Sequence, residues 1–425
     1  MQQSTLPKEI KYAYLFMALN TASFQIALGS PLILFAREIG ASASVLGFIT
    51  GLTPLLSTLQ MPMASVARRI GYRNLMFRGW GGRVLTLVWL TAMPIIAQWA
   101  SRELTVALLV ACMLTFNFVR GLGAGTWLPL MSALVPRTLR GDYLSRERLY
   151  SAIASVTALG VSGIILARND ANGQHSLVAY AVLFGLSFIV GAISLHFLRL
   201  VPDLTGAGKE MNTTENTPAA LEVLRWRDLF KDSNFRRFAL FGVLMQILIA
   251  SSNTFSIVFA REEIGLQDGS LVLLSAGASI ASMIGLFYIR PRLDSMGSKP
   301  FMRAILVCWV VYYVLWLLMA LKIITFGVLL VPMILVANGF FISVFEAPST
   351  RLLMNMFGDR AGGPQFFTLY GVLISLAAGF APMIWGAILD LLRSGAFSRY
   401  SYFFAAEIVL LGVVALLLRR VNESS

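Results

Sequence analysis

Charged side chains are scarce in this sequence of 425 residues. Asp, Glu, Lys and Arg together make up 13% of it, hydrophobic residues make up 57%, and the mean hydropathy is +0.75. A typical soluble domain carries about 25% charged residues. The composition therefore excludes a water-soluble fold and predicts an integral membrane protein.

Cysteine and histidine are almost absent. Cys112 and Cys308 lie in long apolar segments, without the spacing of a metal site or a disulfide framework. His175 and His196 belong to no ligand cluster. The sequence also lacks the Gly-x-x-x-x-Gly-Lys-Ser/Thr loop that binds nucleotide phosphates, and it contains no clustered nucleophile, His and Asp. We expect no metal, no cofactor, no direct use of ATP and no enzymatic activity.

Long apolar segments dominate instead. A membrane-spanning helix needs roughly 20 mostly apolar residues, and backbone amides in lipid must be satisfied within the chain, which favours helices over barrel strands at this length. We predict an all-α membrane protein with twelve spans, at residues 12–36, 44–66, 76–98, 104–133, 148–167, 177–198, 237–260, 270–290, 301–320, 323–346, 366–389 and 401–418.

The basic residues are distributed unevenly between the loops. The formal net charge is +13, which in a soluble protein would suggest nucleic acid. Here 25 Lys and Arg residues fall in alternate loops and seven in the opposite ones. Basic loops remain in the cytoplasm. We therefore predict a multi-pass protein of the bacterial inner membrane, with both termini cytoplasmic, a lipid bilayer around it and no nucleic-acid partner.

A polar segment divides the spans into two sets of six. Residues 201–217 are too polar to fold alone, and residues 218–231 have the pattern of a short amphipathic helix, either on the membrane surface or packed on the bundle. We predict a six-helix bundle at 1–200, a cytoplasmic linker at 201–235 and a second six-helix bundle at 236–425.

The two halves contain related loops. Ala64–Arg73 follows the second span, and Arg290–Lys299 follows the eighth. Aligning Gly71 with Gly297 gives an offset of 226 residues, and aligning Asn117 with Asn338 gives 221. The similar offsets indicate an internal duplication.

These loops resemble the signature of the major facilitator superfamily, Gly-x-x-x-Asp-Arg/Lys-x-Gly-Arg/Lys-Arg/Lys. Asp294, Gly297 and Lys299 match it in the second half, and Arg69, Gly71 and Arg73 match it in the first. Arg68 stands where the family has aspartate, so the first-half gate must differ.

Two further features bear on this resemblance. Pro382 and Gly386 are similar to residues of the family's eleventh helix, whereas the Gly-Pro motif of drug/proton antiporters is absent from the fifth span. The resemblance implies two bundles that rock about a central site, lined by the first, fourth, seventh and tenth helices. It also implies gating roles for Arg69, Gly71, Asp294 and Gly297.

Arg120 is the clearest candidate for the site. It lies near the centre of the fourth span, one turn after Asn117, where a charge costs at least about 2.5–3.5 kcal/mol. A guanidinium group can grip a carboxylate or phosphate with two parallel hydrogen bonds, which suggests an anionic solute. The alternative is a structural role, either in an ion pair or as a clamp on the backbone.

Glu346 and Arg351 lie towards the cytoplasmic end of the tenth span. A buried carboxylate can carry a proton, so Glu346 is a candidate for proton coupling. The alternative is a gating salt bridge, with Arg351 or a loop arginine as partner. Glu407 in the last span is interpreted as a packing residue.

Polar amides occupy the first and seventh spans. Asn20 and Gln25 lie in the first, Gln246 and Asn253 in the seventh. They either bind the solute or join helices by hydrogen bonds.

Together these features predict a monomeric secondary transporter of a small, anionic solute, working by alternating access and coupled to protons. The alternative is a non-transporting protein of the same fold, which assists membrane assembly or cofactor delivery through a protein partner.

Overall fold

A computed structural model of the chain describes residues 9–60, 63, 66, 69–136, 139–171, 177–202, 229–325, 327–357, 363–392 and 398–421. Regular secondary structure within these residues is entirely helical. The bounded helices are α1 (Ile10–Leu28), α2 (Ser30–Glu38), α3 (Ala43–Ser57), α4 (Tyr72–Ile96), α5 (Arg102–Ala124), α6 (Trp127–Leu134), α7 (Arg140–Ala171), α8 (Leu177–Leu200), α9 (Ser233–Glu262), α10 (Asp268–Met296), α11 (Ser298–Ala320), α12 (Gly327–Phe357), α13 (Gly363–Leu391) and α14 (Arg399–Arg420).

Eleven segments of the described residues are long and apolar enough to cross a membrane, with α1 and α2 counted as one segment, Ile10–Glu38. The shorter α3 is the described part of the predicted span 44–66, because residues 61, 62, 64 and 65 lie outside the description. The predicted twelve-helix, all-α membrane fold agrees with this arrangement.

Large apolar side chains point outward from the helices. Leu85, Val307, Leu329 and Val409 are between 66% and 76% exposed. A soluble protein rarely exposes so many large apolar side chains, whereas hydrocarbon solvates them without cost. Such exposed apolar faces are typical of an integral membrane protein.

The chain folds into two compact units. Unit 1 comprises Met1–Ala41, Leu56–Asn212 and Gln267–Ala276, and unit 2 comprises Ser42–Leu55, Thr213–Leu266 and Gly277–Ser425. The boundaries at 1–200, 201–235 and 236–425 remain predictions. Residues 203–228, which hold most of the predicted linker and its amphipathic helix, lie outside the described part of the chain.

The related loops adopt the same local structure in each unit. Gly71 precedes α4 with a φ of 92°, and Gly297 precedes α11 with a φ of 77°, a conformation that favours glycine. Arg73 then donates to the Val201 carbonyl after α8, at 3.0 Å. Lys299 donates in the same way to Val421 after α14, at 2.6 Å.

Carboxylates at two helix ends form a second matched pair. In unit 1 the Asp170 carboxylate of α7 accepts a hydrogen bond from Gly269 N, at the start of α10. In unit 2 the Asp390 carboxylate of α13 accepts one from Ser44 N, at the start of α3. The acids are 220 positions apart and the amides 225, close to the offsets of the loops. These matched contacts agree with the internal duplication that the loop offsets indicate.

Candidate functional site

Arg120 lies near the C-terminal end of α5, half-buried within unit 1. The glycines that follow it allow close helix packing: a Cβ atom on Gly121 would lie 2.5 Å from the Leu56 carbonyl oxygen, and one on Gly79 would lie 2.8 Å from Gly123 Cα. The glycine-rich segment therefore packs Arg120 against its neighbours. The guanidinium group also lies over the Phe24 ring of α1, 5.6 Å from its centroid.

Arg83 of α4 is a second cation inside unit 1, and the sequence analysis assigned it no role. Its side chain is only 2% exposed. Its Nη2 donates to Asn20 Oδ1 at 2.7 Å, and its guanidinium group lies 5.6 Å from the Phe116 ring centroid. The buried Nε of Arg83 has no hydrogen-bond partner among the described residues. The Arg83 guanidinium group thus donates to a neutral amide.

The interior of unit 1 holds two neighbouring positive charges. Arg83 and Arg120 are close enough to repel each other electrostatically. The sequence has no Asp or Glu at 39–102 or at 104–141, the segments that contain these two arginines. A charge of this kind in a membrane protein generally marks a pairing site or a ligand pathway.

Two polar residues of α1 form hydrogen bonds to other helices of unit 1. Asn20 is buried and bonded to Arg83. Gln25 donates from Nε2 to Ser155 Oγ of α7, at 2.6 Å, which ties α1 to α7. The helix then breaks at Gly29 and restarts with Pro31 in its first turn. Interrupted helices are common at transporter binding sites because they free backbone groups.

Asn117 is fully buried on α5, and its Nδ2 donates to the Met113 carbonyl at 3.0 Å. This bond within one helix satisfies part of the amide. Asn20, Gln25, Asn117 and Arg120 therefore all belong to unit 1, and Arg83 connects to the first of them directly.

The other predicted residues belong to unit 2. On α9, Gln246 is half-buried and Asn253 is exposed. On α12, Glu346 is exposed, whereas the sequence predicted a buried carboxylate. Arg351 is half-buried and donates to the Leu293 carbonyl of α10. Arg351 therefore contributes to joining α12 and α10.

The predicted gating residues are only partly described. Arg69 is exposed, and Gly71 and Gly297 form the turns given above. Arg68 and the side chain of Asp294 lie outside the description, so the gating interpretation remains a prediction.

Trp127 illustrates an aromatic residue used for packing. It is 6% exposed and lies against Phe16 and Trp80, with ring centroids 5.3 and 6.3 Å away. Its Nε1 donates to Glu147 Oε1 at 3.1 Å. These contacts hold the Trp127 ring in a packed position inside unit 1.

Arg83 is the residue that sequence reasoning passed over, although a signal was present. It lies inside a predicted span, just as Arg120 does. The sequence alone could not show its hydrogen bond to Asn20, which lies 63 positions earlier in the chain. Among the described residues, no group of three or more His, Cys, Asp or Glu side chains is placed to hold a metal ion.

Comparison with known proteins gives a consistent picture. A family model described as the Major Facilitator Superfamily matches residues 13–363. Among curated protein sequences, none matches significantly. Solved structures do match in fold. The nucleoside transporter NupG aligns with a TM-score of 0.73 and 14% identity, covering 98% of this chain and 99% of its own.

Two further structures align over nearly their whole length. A bacterial homologue of the iron transporter ferroportin gives a TM-score of 0.73 at 12% identity, with 98% and 99% coverage of the two chains. The xylose transporter XylE from E. coli gives 0.68 at 15% identity, with 97% and 94% coverage. At these identities the likeness establishes the fold and leaves the solute open.

Proposed function

The chain belongs to the Major Facilitator Superfamily, and from this we propose that it is a secondary carrier that moves a small anionic solute across the membrane by alternating access. A family of transporters agrees with the expectation that the chain is not an enzyme. The anionic character of the solute is our inference from the residues inside unit 1.

The observation that carries the proposal is the pair of cations, Arg83 and Arg120, within segments that contain no acidic residue. Arg83 is bonded to Asn20 and positions that amide. Arg120, half-buried and on the helix that corresponds to a cavity helix of the family, is the group that would contact the solute. Asn117, Gln25, Gln246 and Asn253 would supply neutral hydrogen bonds.

We further propose that protons drive the transport. Each elementary charge moved across 100 mV costs or yields about 2.3 kcal/mol, so import of an anion into a negative interior is opposed. A proton that moves with the anion cancels this cost. The exposed carboxylate of Glu346 on α12 is available to exchange that proton, and a D-xylose–proton symporter is among the proteins with this fold.

A ligand screen tests the anion proposal. The purified protein would be melted with a series of organic carboxylates and phosphates, each beside its neutral amide or ester. We expect stabilisation by some anions and by none of the neutral counterparts. Uptake of the stabilising anion into proteoliposomes then tests transport.

Two substitutions sharpen this test. A hydrogen bond to a charged group contributes about 1.5–3 kcal/mol, so Arg120→Gln should weaken anion binding about 10- to 100-fold, since 1.4 kcal/mol is tenfold. Arg292→Gln is the matched control, because Arg292 is exposed and bonds to its own helix. Unchanged anion affinity in Arg120→Gln, with the control also unchanged, would exclude the binding role.

We also propose the membrane, the orientation and the oligomeric state of the carrier from the sequence. Both termini would lie in the cytoplasm of a bacterial inner membrane, and the chain would work as a monomer. Labelling of an engineered cysteine in the 203–228 segment from inside, and not from outside, intact cells tests the orientation.

A further inference from the structure

Glu407 of α14 is a buried acid for which neither the fold nor the proposed solute site gives a role. Its side chain is 0% exposed. Neither carboxylate oxygen has a hydrogen-bond partner among the described residues. The interpretation of Glu407 as a packing residue accounts for its burial and leaves its charge unexplained.

The surroundings of Glu407 are aromatic and hydroxylic. The phenols of Tyr312 and Tyr313 on α11 are near enough to interact with it electrostatically. The Tyr312 hydroxyl lies 3.5 Å from Ser252 Oγ of α9, and Ser252 Oγ lies 3.2 Å from Ser256 Oγ. These tyrosines and serines, which we call the hydroxyl cluster, link α9 to α11 beside Glu407.

No basic residue on the packed helices is placed to neutralise this acid. The sequence of α9 has no charge between Arg237 and Arg261, and α11 has none after Arg303. On α14 the nearest cation is Arg399, eight residues away, which is about 12 Å at helical rise. Arg399 itself is paired with Glu262 at 2.8 Å.

The remaining neighbour, α13, contributes aromatic packing through the ring of Trp385, 5.0 Å from Phe403. Its acidic residue Asp390 is bonded at the start of α3. Among the described residues, the titratable groups found to interact with Glu407 are the phenols of Tyr312 and Tyr313. An isolated carboxylate ion is costly in such a place, and burial therefore favours the neutral acid.

We propose that Glu407 is a proton-binding site that couples protonation to the transport cycle, an inference that rests on the proposed function as a carrier. A metal cation is a poor alternative, since it requires several oxygen ligands around it, and neither carboxylate oxygen has a hydrogen-bond partner among the described residues. A proton requires only the carboxylate itself.

The serines of the hydroxyl cluster lie on the same helix as one of the proposed solute contacts. Ser252 immediately precedes Asn253, which is exposed on α9 and is a candidate solute contact. Loss of the proton would leave an ion that must gain water or new partners, which requires α14 to shift against α9 and α11. Protonation therefore favours the packing described here, and release of the proton favours another state.

Infrared spectroscopy of the purified protein in lipid tests the site without knowledge of the solute. The carbonyl stretch of a protonated carboxylic acid should be present near neutral pH, shift in Glu407→Asp and disappear in Glu407→Gln. Asp142→Asn is the control, because Asp142 is an exposed acid paired with Arg146, and it should retain this band. A band that persists unchanged in folded Glu407→Gln would overturn the proposal, and so would the absence of any such band from the wild type.

Transport separates this inference from the proposed function. With the anion identified in the ligand screen, Glu407→Gln should still exchange labelled for unlabelled solute across the vesicle membrane, but should lose accumulation driven by a pH gradient. Accumulation equal to that of the wild type would reject the coupling role alone. A wild type that neither exchanges nor accumulates any anion would reject the carrier function, while the infrared result would still stand.

Discussion

The Asp390 carboxylate gives the most direct test of how the helices are held. It accepts hydrogen bonds from Ala43 N at 3.1 Å, Ser44 N at 2.8 Å and Ser44 Oγ at 2.6 Å, all at the first turn of α3. A negative charge at a helix N-terminus also interacts favourably with the helix dipole. We therefore expect Asp390 to fix the start of α3 against the end of α13.

The magnitude follows from these contacts. Loss of an N-terminal cap costs about 0.5–2 kcal/mol, and hydrogen bonds to charged groups contribute about 1.5–3 kcal/mol each. The side chain is 26% exposed, which weakens the charged terms through solvent screening. We expect Asp390→Ala to lower the free energy of unfolding by about 2–3 kcal/mol, and Asp390→Asn by about half as much, because the amide keeps one acceptor oxygen.

Thermal melting in detergent measures the loss, and hydrogen exchange locates it. The amides of Ala43 and Ser44 should exchange faster in Asp390→Ala, while those in the middle of α13 stay protected. Asp142→Ala is the control, since Asp142 forms an exposed pair with Arg146, and exposed ion pairs contribute little to stability. If Asp390→Ala melts like the wild type and both amides stay protected, the cap contributes nothing and the reasoning fails.

Three further predictions concern packing and backbone. Gly386→Ala should destabilise unit 2, because the added Cβ atom would overlap the Ala43 carbonyl. Gly371→Ala on the same helix is the control and should be tolerated, because its Cβ atom would meet open space. The melting temperatures of the two variants test this difference. Gly297→Ala should cost about 1 kcal/mol at its φ of 77°, and Gly412→Ala within α14 should cost nothing; equal melting would contradict this. Asn20→Ala should remove the hydrogen bond that the buried Arg83 guanidinium group donates and lower the free energy of unfolding by about 1.5–3 kcal/mol. An unchanged melting temperature would contradict this and would show that water replaces the amide.

The two halves of the chain contain matched contacts, which relate several of these predictions to one another. Arg73 and Lys299 both bond the carbonyl after the last helix of their half, and Asp170 and Asp390 both bond the first turn of another helix. A duplicated chain repeats such contacts because related segments fold alike. Substitutions at the matched positions should therefore have similar effects.

The membrane character of the chain could be read from the sequence, because the cost of burying polar groups in hydrocarbon acts on each segment separately. Long apolar segments, interrupted by short polar loops, determine where helices cross. Gly71 and Gly297 could also be identified, since a turn that needs a positive φ selects glycine locally. Arg120 stood out for the same reason, as a charge within an apolar segment.

Contacts between distant helices were decided only by the tertiary structure. The sequence contained Arg83, but its bond to Asn20 and its proximity to Arg120 depend on which faces of α1, α4 and α5 meet. Glu407 likewise became a candidate proton site only when its neighbours on other helices proved to be uncharged. Local physics fixes which segments enter the membrane, whereas the partner of a buried charge depends on packing between segments far apart in the chain.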